Sequence, residues 1–223
     1  MLKGEPKLNE NLRITESPPS TMKKLLLATT NAHKAHELAS LLGDVPFVLT
    51  TPQEEGLSLE VEETGTTFEE NAALKALAFA KASGLLSLAD DSGIEIAALG
   101  GAPGIYSSRY AGPDVTDEGR VQFLLDKIKD VPDGKRQGRF RCVVAIAGPE
   151  GDVSFFQGTV EGVITFEPTG ENGFGYDPIF FLPDRGCTTA QLAPEEKNRI
   201  SHRGQAARAA SKALRQMATE ATS

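Results

Sequence analysis

One change of period constrains the fold of this chain more than any other feature. Leu25-Leu26-Leu27-Ala28 is a short apolar run bounded by polar residues, as expected of a strand covered on both faces of a sheet. Leucines then recur at helical offsets in Leu38, Leu41 and Leu42, and Gly43 stands where a helix stops. A buried strand feeding directly into a helix is the repeating step of a layered α/β fold. The turn between them, Thr29 to Lys34, lies at the carboxyl end of the strand and the amino end of the helix. Unpaired N–H groups and the helix dipole favour an anion there, and Lys34 adds a positive charge. The plain alternative is a strand-to-helix turn in which Thr or Asn serves only as the cap.

A second junction carries acid. The run Leu85 to Ala89 reads as a strand ending in Asp90-Asp91-Ser92-Gly93. Two adjacent carboxylates at the end of a buried strand are costly unless they meet a cation or hydrogen-bond donors. A magnesium ion meets that need with one or two carboxylates plus substrate phosphate oxygens, so Asp91 with Glu62 is a sufficient set. Whether Glu62 or its neighbour Glu63 is the direct ligand stays open. Neighbours on a strand point to opposite sides, so only one of Asp90 and Asp91 should face a ligand. The competing reading of Asp-Asp-Ser-Gly is an Asx-type turn. Between the two junctions, Thr67 and Glu70 fit a capping box, and Phe68, Ala72, Ala76 and Phe79 form a helical stripe. Leu74 and Leu77 lie on another face, which predicts a well-buried helix.

The middle of the chain, Arg139 to Phe166, reads as two or three strands joined at Gly148-Pro149-Glu150-Gly151, with Gln157 and Glu161 on the sheet surface. Two polar clusters follow. Phe174, Gly175, Tyr176 and Asp177 precede an apolar strand, and an aromatic ring beside a fixed carboxylate suits stacking on a base and holding a sugar or amide. The same residues suit a turn with core aromatics. Lys197, His202 and Arg203 gather around Ser201, which can cap a helix carrying the stripe Ala206, Ala209, Ala213 and Met217. Cations at a helix amino end oppose the dipole, so an anionic or carbonyl-bearing ligand explains them better than capping does.

Composition excludes some classes. A chain of 223 residues with 39% hydrophobic residues can bury a substantial core in one domain. Its formal net charge of -8 argues against a general nucleic-acid or anionic-membrane binder, which needs a broad basic surface. No apolar stretch approaches the roughly 20 residues of a membrane span, and none reads as a signal peptide, so a cytoplasmic protein is expected. Cys142 and Cys187 lack metal spacing, and Cys142 reads as a buried thiol. Residues 1–21 are polar and aperiodic and are expected to form a flexible extension. Residues 22–218 then make one domain, and 219–223 a short tail.

The ordered set "TTNAHK", "EETGTTFEENAALKA", "ADDSG", "GGAPGIYSSRYAG", "GFGYDPIF" and "EEKNRISHRGQA" resembles the inosine triphosphate pyrophosphatase family, also called Ham1-like or dITP/XTP pyrophosphatases. The likeness runs from about Lys24 to about Leu214. The family's phosphate loop T-x-N-x-x-K is matched by Thr29, Asn31 and Lys34, with Thr30 where many relatives have Gly. The resemblance implies an elongated mixed α/β fold with a long central sheet flanked by helices, two lobes with a nucleotide cleft, and a homodimer. It implies a magnesium-dependent hydrolase that cleaves ITP, dITP or XTP to the monophosphate and pyrophosphate, cleansing the pool of deaminated purines.

Carried onto this chain, the resemblance implies that Thr29, Thr30, Asn31, Ala32, His33 and Lys34 grip the triphosphate, and that Glu62 and Asp91 hold magnesium. Asp91 would also orient or deprotonate the attacking water, and Ser92 would bind a phosphate or the metal shell. Phe174 would stack on the base, Gly175, Tyr176 and Asp177 would shape its pocket, and Lys197, His202 and Arg203 would donate to purine carbonyls. Two further readings remain. A Maf-like pyrophosphatase of other base specificity shares the fold plan, although "SHR" and "FGYD" argue against it. A non-catalytic nucleotide sensor would have little use for the paired carboxylates.

Overall fold

The computed structural model describes residues 22–220, so the expected extension at 1–21 lies outside the described residues. The predicted opening unit forms as β1 (Lys24–Leu27) and α1 (Ala32–Leu41). Leu25, Leu26 and Leu27 are almost wholly buried. The chain continues through β2 (Val48–Thr50) and α2 (Phe68–Ser83) to the long strand β3 (Leu86–Ile96). After α3 (Asp117–Lys127) come β4 (Gln137–Ala147) and β5 (Val153–Ile164), joined by the turn at Gly148–Gly151. Two short strands, β6 (Phe180–Leu182) and β7 (Cys187–Thr188), precede α4 (Pro194–Ile200) and α5 (His202–Glu220).

The strands make one seven-stranded mixed sheet in the order β2-β1-β3-β4-β5-β6-β7. β1 pairs in parallel with β2 and β3, and every pairing from β3 onward is antiparallel. At the β1 end, one core of Leu25, Leu27, Leu88, Cys142 and Val144 packs under α1 and α5. A second, with Leu26, Ala89, Val143 and Ala145, packs under Phe68, Ala72, Ala76 and Phe79 of α2. The two sets alternate along the strands, as the period of two requires. A third core, built from Ile94, Ile96, Phe140 and Phe180 together with Val121 and Leu124 of α3, lies at the other end.

Local chemistry sets the ends of these elements. Asn31 caps α1, its Oδ1 accepting from the Lys34 N–H at 3.1 Å. Thr67 caps α2, and Gly84 ends it at φ 70°, a left-handed conformation natural to glycine. Glu70 bonds Thr66 rather than the Thr67 N–H, so only half of the expected capping box forms. Gly158 of β5 lets α5 approach closely, because a Cβ there would collide with the His202 carbonyl.

Three expectations are corrected. Asp90-Asp91-Ser92-Gly93 is no strand end and no Asx turn: β3 runs through it to Ile96, because β4 pairs with it residue by residue from Ser87 to Ile96. Leu74 of α2 is exposed and Leu77 half-buried, since the sheet covers only the Phe68 stripe. The buried stripe of α5 is Ala206, Ala207, Ala210 and Leu214, rotated from the one read in the sequence by the close seat of its first turn on β5. That helix also continues through Glu220, into the stretch assigned to the tail.

Candidate active site

The cleft exists because β1 is shorter than β3. β1 ends at Leu27, opposite Leu88, and Ala28 N–H donates to the Leu88 carbonyl at 2.7 Å. There the chain turns away into α1, while β3 goes on for eight more residues beside β4, and its other edge is taken up again only where Ile94 N–H donates to Ser107 Oγ and Glu95 bridges Pro103. The vacated edge is the floor of a cleft of about 320 Å³. The amino end of α1 stands over it. Helix geometry leaves the first-turn amides without intrahelical partners. The Asn31 cap takes the Lys34 amide, which leaves those of Ala32 and His33 unpaired among the described residues.

Asp90 and Asp91 project from opposite faces of β3, as strand alternation demands. Asp91 points towards α2, where its Oδ1 accepts from Lys75 Nζ at 3.2 Å, and Oδ2 is buried with no hydrogen-bond partner. Burial raises the Asp91 carboxyl above its ordinary range, offset only in part by Lys75 and Lys34. Asp90 points towards α1 and α5. Its Oδ2 lies 3.2 Å from Lys34 Nζ and accepts from Arg203 Nε at 3.2 Å and Nη2 at 3.1 Å. Burial opposes its charge, but Lys34, Arg203 and Lys75 overcome that cost and hold the carboxyl well below the usual carboxylate range. Of the two, Asp91 lines the cleft. Cys142 lies buried behind Asp90, and burial together with that carboxylate pushes its thiol up to about 12.

Of the two loop acids, Glu62 is exposed and away from the cleft, while Glu63 lines it. Glu63 accepts from Lys75 Nζ at 2.6 Å and from Arg109 Nη1 at 2.7 Å. The Lys75 ammonium thus bridges Glu63 and Asp91. Burial opposes the Glu63 charge, and Lys75 with Arg109 outweighs it and holds the carboxyl low.

The opposite wall comes from the later clusters. Gly175 adopts φ 61°, and its N–H donates to Asp117 Oδ2 at 2.7 Å. Tyr176 is buried, with its hydroxyl donating to the Ser107 carbonyl at 2.9 Å, and burial raises its phenol to about 12. Asp177 is buried, accepting from the Phe174 N–H, from Thr189 Oγ1 and from Lys197 Nζ. The Phe174 ring stacks on His33 at 5.3 Å between centroids, with planes 19° apart. Lys197 Nζ and the Arg203 guanidinium lie 4.9 Å and 5.5 Å from the same ring.

The sequence argument about the late cations is corrected. Lys197 sits in the last turn of α4, where a cation suits the dipole. His202 is buried against Phe140 at 4.7 Å, and burial with the charges of Arg203 and Lys197 holds it neutral, well below its ordinary range. Only Arg203 stands as a cation in the first turn of α5. Carboxylates of the chain answer the two charges, Asp177 and Glu37 at Lys197, Asp90 and Glu37 at Arg203, so no ligand is needed to explain them.

Asn31, His33, Lys34, Asp91, Ser92, Phe174, Gly175, Tyr176, Asp177, Lys197, His202 and Arg203 all line the one cleft. Thr29, Thr30, Ala32 and Glu62 have no side chain in its lining. Thr29 supports the turn instead, its Oγ1 accepting from the Asn31 N–H at 3.2 Å. Sequence reasoning missed Lys75, Asp117 and Glu37. Glu37 left a trace, lying one helical turn after Lys34 and so on its face, and Lys75 lies inside the run "EETGTTFEENAALKA".

The family model described as Ham1 family matches residues 25–213. The chain is 53% identical over 196 residues to a dITP/XTP pyrophosphatase of Shigella flexneri, covering 87% of this chain and 99% of that one. It is 51% identical, with the same coverage, to a dITP/XTP pyrophosphatase of Escherichia coli strain K12. Among solved structures, a HAM1 protein from Coxiella burnetii superposes with a TM-score of 0.80 at 45% identity, over 87% of this chain and all of that one. The Staphylococcus aureus Ham1 protein gives 0.78 at 42% identity with the same coverage.

Proposed function

The chain belongs to the Ham1 family, and from that premise we propose that its cleft hydrolyses ITP, dITP and XTP to the nucleoside monophosphate and pyrophosphate. The observation that carries this reading is Asp91. It lines the cleft over which the amino end of α1 stands, and its buried Oδ2 has no hydrogen-bond partner. A carboxylate so placed can take a proton from a water attacking a phosphate seated on the α1 turn. The amides of Ala32 and His33 and the Lys34 ammonium would hold the phosphates, and phosphoryl transfer asks mainly for such positioning and charge neutralisation.

The donors present fit a divalent ion. Asp91 offers an unsatisfied oxygen, and Glu63, across the Lys75 ammonium, is the loop acid placed to join it, in preference to Glu62. Among the described residues no group of three or more His, Cys, Asp or Glu side chains could hold a metal. Two carboxylates nevertheless suffice for magnesium, which keeps waters and substrate phosphate oxygens as its other ligands. When bound, it would neutralise charge developing on the phosphate oxygens.

Base choice follows from donors. Lys197 and Arg203 line the cleft beside Phe174, the ring on which a purine would stack. A 6-keto purine presents an acceptor where adenine presents an amino donor, and facing donors in a buried site are costly. No helix among the described residues is long and apolar enough to cross a membrane, and the cytoplasm is the compartment we propose. A homodimer is the assembly that the family resemblance supports, and a monomeric mass by light scattering at micromolar concentration would refute it.

A panel of nucleoside triphosphates, assayed with magnesium for pyrophosphate against orthophosphate, tests the reading. Pyrophosphate from ITP and XTP far in excess of that from ATP is expected. Orthophosphate as the product, or release equal for all bases, would overturn it.

A further inference from the structure

Two buried donors of the cleft share one carboxylate. Glu37, on α1, accepts from Lys197 Nζ through Oε1 at 2.8 Å and from Arg203 Nη1 through Oε2 at 2.6 Å. Lys197 belongs to α4 and Arg203 to α5, so this one side chain ties both to the helix that carries the phosphate-binding turn. Among the described residues no other acid touches both: Asp177 meets Lys197, and Asp90 meets Arg203 and Lys34. Burial opposes the Glu37 charge, and Arg203 and Lys197 outweigh it and keep it ionised.

Counting hydrogens shows what this bridge leaves over. An ammonium has three, and Glu37 and Asp177 take two from Lys197. A guanidinium has five. Asp90 takes the Nε hydrogen and one on Nη2, Ser92 Oγ takes the other on Nη2 at 2.8 Å, and Glu37 takes one on Nη1. One N–H therefore remains on Lys197 and one on Arg203, in two side chains that line the cleft beside the Phe174 ring.

We propose that Glu37 is a positioning residue that sets base choice, by fixing Lys197 and Arg203 so that each presents a single remaining N–H to the purine edge. This rests on the cleft being a purine nucleotide site. A keto purine offers O6 and N7 as neighbouring acceptors, while adenine replaces the first with a donor. Two pre-aimed donors distinguish these edges, whereas a long cation free to rotate can turn its hydrogens away and accommodate either. Asp177 and Asp90 each fix one cation, and Glu37 fixes their mutual placement.

The test compares wild type with Glu37→Gln. The amide keeps one acceptor but turns an N–H₂ donor on the second cation, so the bridge breaks while the volume is kept. The kcat/KM ratio of ITP over ATP is expected to fall about tenfold or more, with ATP turnover held or raised. Inhibition by inorganic pyrophosphate, which reads the phosphate site alone, should stay within about twofold. IMP binding by calorimetry should weaken against AMP in the same sense. Glu37→Asp, too short to reach both cations, should behave alike and serves if Glu37→Gln does not fold. An unchanged ITP-to-ATP ratio in either folded variant, or an equal loss on all substrates and on pyrophosphate, would overturn the proposal. If wild type itself shows no preference for ITP, the reading of the cleft fails instead.

Discussion

Asp90 and Asp91 are consecutive on β3, yet their surroundings drive their carboxyls in opposite directions, Asp90 down and Asp91 up. Both are buried, so burial alone cannot separate them. Strand alternation gives Asp90 to Lys34 and Arg203, which hold it as a permanent anion, and gives Asp91 to a side where Lys75 meets only one of its oxygens. Each keeps one oxygen without a partner, Oδ1 of Asp90 and Oδ2 of Asp91, so what separates them is the pair of cations on Asp90 and the place of Asp91 in the cleft lining.

Asp91→Asn is accordingly expected to reduce ITP turnover by roughly a thousandfold or more, the scale of a lost general base or pre-arranged charge. Its melting temperature should hold or rise, since the variant no longer buries a poorly paired charge. Near-normal turnover in a folded variant would remove Asp91 from the mechanism.

Glu63 and Glu62 differ by one position and should differ sharply in metal response. Glu63→Gln is expected to raise the magnesium concentration for half-maximal activity by about tenfold or more, the scale of a disturbed metal site. Glu62→Gln, at an exposed side chain away from the cleft, should leave it unchanged. Magnesium titrations of the two variants decide the assignment, and a shift in Glu62→Gln alone would restore the residue read from the sequence.

The sequence made the β1–α1 unit legible because its signal is local: an apolar run, a capping residue, then leucines at helical spacing. It hid the continuation of β3, because two adjacent acids look like a turn until their partners are known. Arg203, which neutralises Asp90, is 113 residues away, and Lys75, although inside the run "EETGTTFEENAALKA", reaches Asp91 and Glu63 only once α2 packs on the sheet. The late basic cluster misled for the same reason, since Glu37, which offsets both Lys197 and Arg203, is supplied by the first helix. Apart from Asp117, the cleft residues named here carried patterns; those that neutralise them depended on packing.

Arg203 and Lys34 both meet Asp90, but removal of each should read out differently. Arg203 is buried and answers two carboxylates, so Arg203→Ala leaves Asp90 and Glu37 without a main partner. A loss of about 3–5 kcal/mol in unfolding free energy is expected, the scale for breaking a buried pair, with a narrowed preference for ITP over ATP in whatever protein folds. Lys34→Ala should cost less stability and lower activity on every triphosphate by similar factors, because phosphates are common to all. Denaturant unfolding and the substrate panel measure both, and equal loss of ITP and ATP activity in Arg203→Ala would move Arg203 to the phosphate or scaffold contacts.

His202 gives the fold a pH dependence whose sign can be worked out. Its folded pKa is depressed, because burial and the neighbouring Arg203 and Lys197 charges disfavour a second proton, whereas in the unfolded chain it titrates near the ordinary value of about 6.5. Below that value the unfolded state binds a proton that the folded state refuses, so the contribution of His202 is fully present above about pH 6.5 and declines as pH falls. The decline continues until the folded pKa is met. The nucleotide-free protein should therefore melt at a lower temperature near pH 5.5 than near pH 7.5. In His202→Gln, which is neutral at both values, that difference should shrink even though loss of the stack on Phe140 lowers both melting temperatures. A pH difference of the same size in His202→Gln would show that other groups carry it and that the buried imidazole accepts its proton in the folded state.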